Sequence, residues 1–123
     1  KQNEQNILGT EDIEFICTNL ITNLQLNKDS YNFVVANLPY IPTNQYSELE
    51  RCVKDFEPQI ALDGGELGTK YIFELIQQCK EKRLRGKLLL EIEPSTIDQF
   101  EEFSPTIFKD IYGRERFLLI RLY

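Results

Sequence analysis

The sequence predicts an α/β fold built on part of a mixed sheet, and three observations carry that prediction. Two short apolar runs, Phe33-Val34-Val35-Ala36 and the segment 87–92 (KLLLEI), have the length and composition of strands buried on both faces. Between them Tyr71, Ile72, Leu75, Ile76 and Cys79 recur at helical spacing, the pattern of a helix with one face packed on a sheet. Near the end, segments at about 106–112 and 116–123 flank Gly113-Arg114-Glu115, a hairpin signal that adds an antiparallel edge.

Taken in order, residues 1–8 read as the end of an amphipathic helix closed by Gly9. Ile13, Phe15 and Cys17 alternate as in a short strand ending at Thr18-Asn19, and 22–30 is a polar loop with at most one helical turn. The run at 33–36 is the kind of strand found in mid-sheet. It stops at Asn37-Leu38-Pro39-Tyr40-Ile41-Pro42, because its two prolines lack the N–H that a ladder or a helix needs. A long irregular segment follows through Phe56-Glu57-Pro58 to Gly64-Gly65, and loops of that length in compact domains commonly carry function. The helix after it is expected to end at Gly86. Ser95-x-x-Asp98 resembles a capping box opening a short helix with Ile97 and Phe100 inward.

Composition narrows the function. The 123 residues, 41% apolar, suffice for one domain, residues 1–123. A net charge of −6 repels phosphate backbones, which makes nucleic acid a poor partner. Histidine is absent, removing the usual base of serine and cysteine nucleophile schemes and the commonest transition-metal ligand, so no metal site is expected. Cys17, Cys52 and Cys79 form no CxxC pair and read as reduced, mostly buried thiols of a cytoplasmic protein. No apolar run approaches the roughly 18 residues of a membrane span. The opening Lys1-Gln2-Asn3-Glu4-Gln5 looks like the middle of a helix, so the chain reads as a fragment.

In α/β sheets ligands bind beyond the carboxyl ends of the central strands, where Asn37-Leu38-Pro39-Tyr40 falls. A buried strand followed by Asn-x-Pro-Tyr resembles the Asn-Pro-Pro-Tyr signature of methyltransferases that act on planar nitrogen, and the resemblance implies a physical need. The lone pair of an amide or exocyclic amine is spread into a π system, so its NH₂ must be held by acceptors while a methyl approaches the plane. The Asn37 side-chain oxygen and the Leu38 carbonyl supply two such acceptors and favour the positive charge that develops on nitrogen. Tyr40 offers a flat wall. No histidine or carboxylate is required.

The tetrapeptide, together with Phe56-Glu57-Pro58-Gln59-Ile60-Ala61-Leu62-Asp63-Gly64-Gly65, Leu89-Leu90-Glu91-Ile92, Lys109-Asp110 and Gly113-Arg114-x-Arg116, resembles the HemK/PrmC family of protein-glutamine methyltransferases over nearly the whole chain. The resemblance implies the C-terminal part of a class I S-adenosylmethionine-dependent methyltransferase domain, a Rossmann-like sheet closed by an antiparallel hairpin. It implies S-adenosyl-L-methionine as donor and, as substrate, the glutamine of the Gly-Gly-Gln loop in peptide-chain release factors. Asn37, Pro39 and Tyr40 would then be catalytic, substrate would meet Asn37, Leu38, Pro39, Tyr40, Glu57 and Pro58, and donor would meet Asn19, Leu20 and Asn37.

The chain departs from the family at Leu38 for proline, Asn19 and Asn32 for aspartate, Glu93 for glycine and Thr96 for glutamine. It also has no glycine-rich strand-to-helix turn for the donor, since Gly64-Gly65 follows a long loop. Without the strands that carry that turn, the sheet is expected to show raw edges and an exposed apolar face that invite self-association. An adenine-N6 nucleic-acid methyltransferase and a non-catalytic binding module derived from the enzyme are the alternatives. Plainer readings apply elsewhere: Asp63-Gly64-Gly65 as a turn, Arg83, Arg85 and Lys87 as a helix C-terminus, Arg114 and Arg116 as hairpin charges, Tyr71 and Phe73 as packing.

Overall fold

The computed structural model describes residues 13–26 and 31–122. The helix expected at 1–8 and the last part of the loop at 22–30 lie outside the described residues. The elements are β1 (Tyr31–Ala36), three short helices α1 (Thr43–Tyr46), α2 (Arg51–Lys54) and α3 (Gln59–Leu62), then α4 (Lys70–Glu81) and β2 (Arg85–Glu91). A 3₁₀ helix (Pro94–Phe103), β3 (Thr106–Lys109) and β4 (Glu115–Leu122) complete them. The strands form one sheet in the order β1-β2-β4-β3, with β1 and β2 parallel and the other pairs antiparallel. The α/β class and the C-terminal hairpin are therefore present.

One side of this sheet holds the core. Leu88 and Leu90 of β2 and Leu118, Ile120 and Leu122 of β4 point to it, where they meet Ile72, Leu75, Ile76 and Cys79 of α4 and Phe100 of the 3₁₀ helix. Each fully buried large side chain contributes about 1.5–3 kcal/mol, so this layer dominates stability. Phe73 stacks on Phe100 with ring centroids 5.1 Å apart, the packing role expected of it.

The other side shows the exposed apolar face expected of this sheet. Phe33 and Val35 are 59% and 67% exposed, and Phe33 lines an open apolar groove with Leu89, Phe108, Phe117 and Leu119. The runs at 33–36 and 87–92 thus have the composition of strands buried on both faces while the described residues cover one. β1 is also an edge strand among the described residues, not a mid-sheet one.

Several local expectations are corrected. Residues 13–17 form no strand, and Ile13, Phe15, Ile16 and Cys17 are exposed; alternation alone does not make a sheet, and no strand among the described residues pairs with this segment. The segment 43–62 is less irregular than its composition implies, since three helical turns occupy it. Helix α4 ends at Lys82 and Arg83, the latter in the left-handed region at φ 54°, and not at Gly86. Gly86 belongs to β2 instead, where an added Cβ would sit 1.7 Å from the Asn32 carbonyl oxygen across the parallel pair. Arg85 and Lys87 are likewise strand residues. The capping box does not form: Glu93 is the N-cap and makes no side-chain cap bond, Pro94 is the first helical residue, and Ser95 lies inside the helix. Phe100 does face inward, and Ile97 packs against the core. Cys17 is exposed and Cys79 buried; the Cys52 side chain lies outside the described residues. Among the described residues no helix is long and apolar enough to cross a membrane.

Candidate functional site at the strand tip

β1 ends with Ala36 paired to Leu90, so Asn37 and Leu38 leave the sheet at the carboxyl end of two parallel strands. The ladder stops there and frees backbone groups that a continuing strand would use. The Asn37 side chain is exposed and, among the described residues, has no hydrogen-bond partner; the Leu38 carbonyl likewise accepts no bond from their backbone. Two acceptors therefore stand free at the strand tip.

The tetrapeptide is held from behind. The Ile41 N–H donates to the Leu62 carbonyl at 3.1 Å, Gly64 N–H to Ile41 at 2.8 Å, and Thr43 N–H to Gly65 at 2.9 Å, making a parallel bridge between Ile41 and Asp63. Glycine is required for this approach. A Cβ at Gly64 would lie 2.6 Å from the Pro39 carbonyl oxygen and 2.8 Å from Tyr40 Cα, and one at Gly68, where φ is +74°, would lie 2.3 Å from the Tyr40 carbonyl oxygen. The Asp63 carboxylate locks the bend by accepting from the Thr43 hydroxyl at 2.7 Å, the Gly65 N–H at 3.0 Å and the Gln59 amide at 3.1 Å. The Thr43 hydrogen bond first, then those of Gly65 and Gln59, keep its pKa below the ordinary carboxylate value. Asp63-Gly64-Gly65 is thus more than a turn: it is the clasp on the tetrapeptide.

In front of the tetrapeptide lies an open hollow of about 470 Å³. Asn37, Leu38, Pro39 and Tyr40 form one wall, and Val53, Phe56, Glu57 and Leu62 line the remainder. Glu57 therefore joins the tetrapeptide, whereas Pro58 is absent from the lining and serves as the N-cap of α3. Asn19 and Leu20 do not line the hollow. They sit in a turn whose Asn19 carbonyl accepts from the Thr22 N–H, with Leu20 at φ 53° packed against the core.

Tyr40 is fixed by a charged group that the residue pattern alone leaves as hairpin decoration. Its hydroxyl donates to Glu91 Oε1 at 3.1 Å, and the Arg116 guanidinium lies over its ring, 5.7 Å from the centroid. Partial burial, then the Glu91 charge, raise the Tyr40 pKa. Arg116 corrects its own plain reading; Arg114 keeps it, pairing locally with Asp110 at 2.8 Å. A lone glutamate closing a run of leucines, as at Glu91, is the signal in the residues that a buried partner waits there.

A parallel strand ending in a clasped loop, with free acceptors beside a hollow, is the place where α/β domains bind ligands, at the carboxyl ends of their strands. Known proteins narrow this class. No family model matches the chain. It is 35% identical over 97% of its length to a release factor glutamine methyltransferase of Leptospira interrogans, covering 44% of that protein. It is 27% identical over 93% of its length to the enzyme so named in Flavobacterium psychrophilum, covering 43% of it, and 42% identical over 59% to one of Prochlorococcus marinus, covering 24%. The chain is thus similar, over nearly its whole length, to release factor glutamine methyltransferases. It spans less than half the length of the curated relatives it matches.

Proposed function

We propose that the chain is the C-terminal, substrate-gripping portion of a class I, Rossmann-like methyltransferase domain that N-methylates the glutamine amide of the Gly-Gly-Gln loop in a peptide-chain release factor, in a cytoplasmic setting. The observation that carries this reading is the pair of free acceptors, the Asn37 side-chain oxygen and the Leu38 carbonyl, on the wall of a hollow large enough for a primary amide. They take the two amide hydrogens and turn the nitrogen outward, while the Tyr40 ring bounds the amide plane and Glu57 borders the opening. As nitrogen gains the methyl it becomes cationic, which the same two oxygens favour, and its proton then leaves to water.

S-Adenosyl-L-methionine, when bound, supplies an electrophilic sulfonium methyl. The residues present suit part of that group: the exposed Asn19 and Asn37 side chains have no hydrogen-bond partners among the described residues, leaving amide oxygens for a cationic ligand, with Leu20 beside the first. Gly64 and Gly68 are engaged against the Pro39 and Tyr40 backbone and do not form a donor loop. The apolar groove beside β1 suits association with another polypeptide, a second copy included.

The test is methyl transfer to a release factor by the whole protein that carries this chain. Asn37→Ala is expected to lower kcat about 100-fold while donor Kd moves less than about threefold. A change in donor affinity alone would remove the assigned role. Transfer to adenine and not to a release factor would favour the nucleic-acid reading, and no transfer at all the binding module.

A further inference from the structure

We propose that Glu91 and Arg116 are positioning residues that set the Tyr40 ring against the amide plane. This rests on the reading of Tyr40 as a wall of the substrate hollow. The two residues arrive from neighbouring strands. Glu91 is the last residue of β2, and Arg116 of β4 is tied beside it by the Ile92 N–H, which donates to the Arg116 carbonyl at 2.9 Å. Arg116 Nε lies 3.8 Å from Glu91 Oε1, and Nη1 lies 3.6 Å from Glu93 Oε2 and donates to the Ile92 carbonyl at 3.5 Å. One guanidinium, its side chain 19% exposed, thus sits between two carboxylates that would otherwise repel each other.

The consequence falls on Tyr40. Its hydroxyl is anchored to Glu91, and its ring lies under the same guanidinium, so one cation steadies both the anchor and the face of the ring. The two ion pairs, at 3.8 and 3.6 Å, are long ones and each alone holds weakly. Together these contacts fix the ring through its hydroxyl and one face, while Tyr40 still lines the hollow. Leu38 lacks the proline ring that restricts φ in the family's tetrapeptide, so this hold from the far end of the loop carries more of the preorganisation here.

Two measurements on the full chain and its whole protein test this. The first follows the Tyr40 phenol by carbon-13 tyrosine labelling across a pH titration, with Tyr40→Phe assigning the signal. Glu91, Glu93 and Arg116 are the charged groups that face it, the carboxylates raising and the guanidinium lowering its pKa. Glu91→Gln should move the midpoint down and Arg116→Ala should move it up; opposite shifts are not produced by general loosening. The second is kinetic. Glu91→Ala and Tyr40→Phe should each lower kcat about tenfold with KM little changed, the double variant should be no worse than either alone, and Glu91→Gln should keep activity within about threefold. Unmoved or same-direction phenol midpoints, or additive kinetic losses, overturn the proposal. Opposite phenol shifts in a protein that transfers no methyl group uphold the geometry and instead remove the proposed reaction.

Discussion

The two faces of the sheet are built from nearly the same residue types and live in different surroundings. On one, Leu88, Leu90, Leu118 and Ile120 are buried beneath α4 and the 3₁₀ helix. On the other, Phe33, Leu89, Phe108, Phe117 and Leu119 surround an open groove. Composition thus reports what a face is made for, and burial reports what covers it. The difference also separates stability from function, because the covered face holds the fold while the hollow opens at the strand tips, at neither face.

The largest effects should come from substitutions that set the faces against each other. Phe100→Ala is expected to cost about 3–5 kcal/mol in urea unfolding, against less than about 1 kcal/mol for Phe33→Ala. Equal costs would mean that the groove is covered in solution. Next, Phe33→Lys should shift sedimentation toward the monomer if the groove or the β1 edge mediates self-association, and Lys82→Ala, far from that groove, should not. Smaller is the contrast between thiols. Burial pushes the Cys79 thiol up to about 11, so at pH 8 it should resist iodoacetamide until the chain unfolds, whereas exposed Cys17 reacts in the native state. Equal labelling rates would show that the covered face opens readily.

The smallest effect lies at the tip, outside both faces. Asp63 has a folded pKa below its unfolded value, so its contribution is complete above the unfolded pKa of about 3.9 and is lost as pH falls through the folded value. Asp63→Asn should lower neutral-pH melting slightly and flatten the acid limb below about pH 4, because the stability that the carboxylate loses on protonation is already gone. An unaltered acid limb would show that the carboxylate does not hold the bend.

How much of this is legible in the residues varies with the source of each feature. The helical face at Ile72, Leu75, Ile76 and Cys79 and the hairpin around Gly113 are local patterns, and both appear. The end of β1 is legible for the same reason, since Pro39 and Pro42 act without help from elsewhere. The segment at 13–17 is not, because its alternation needs a partner strand that the described residues do not provide. The roles of Gly86 and Gly64 escape for a related reason: glycine reads as a stop or a turn until the backbone it approaches is known. Arg116 and Glu91 are 25 residues apart, a separation no periodicity reports; only the β2–β4 register brings them together.

The bridge between Ile41 and Asp63 makes the tetrapeptide and the glycine segment a single inheritable unit, though they are separated along the chain. Grafting Asn37-Leu38-Pro39-Tyr40 onto another scaffold would transfer the letters without the shape unless Leu62 through Gly68 travelled with them. A bulkier residue at Gly64 or Gly68 would push directly on the Pro39 and Tyr40 backbone, so a change on one side of that bridge is felt on the other.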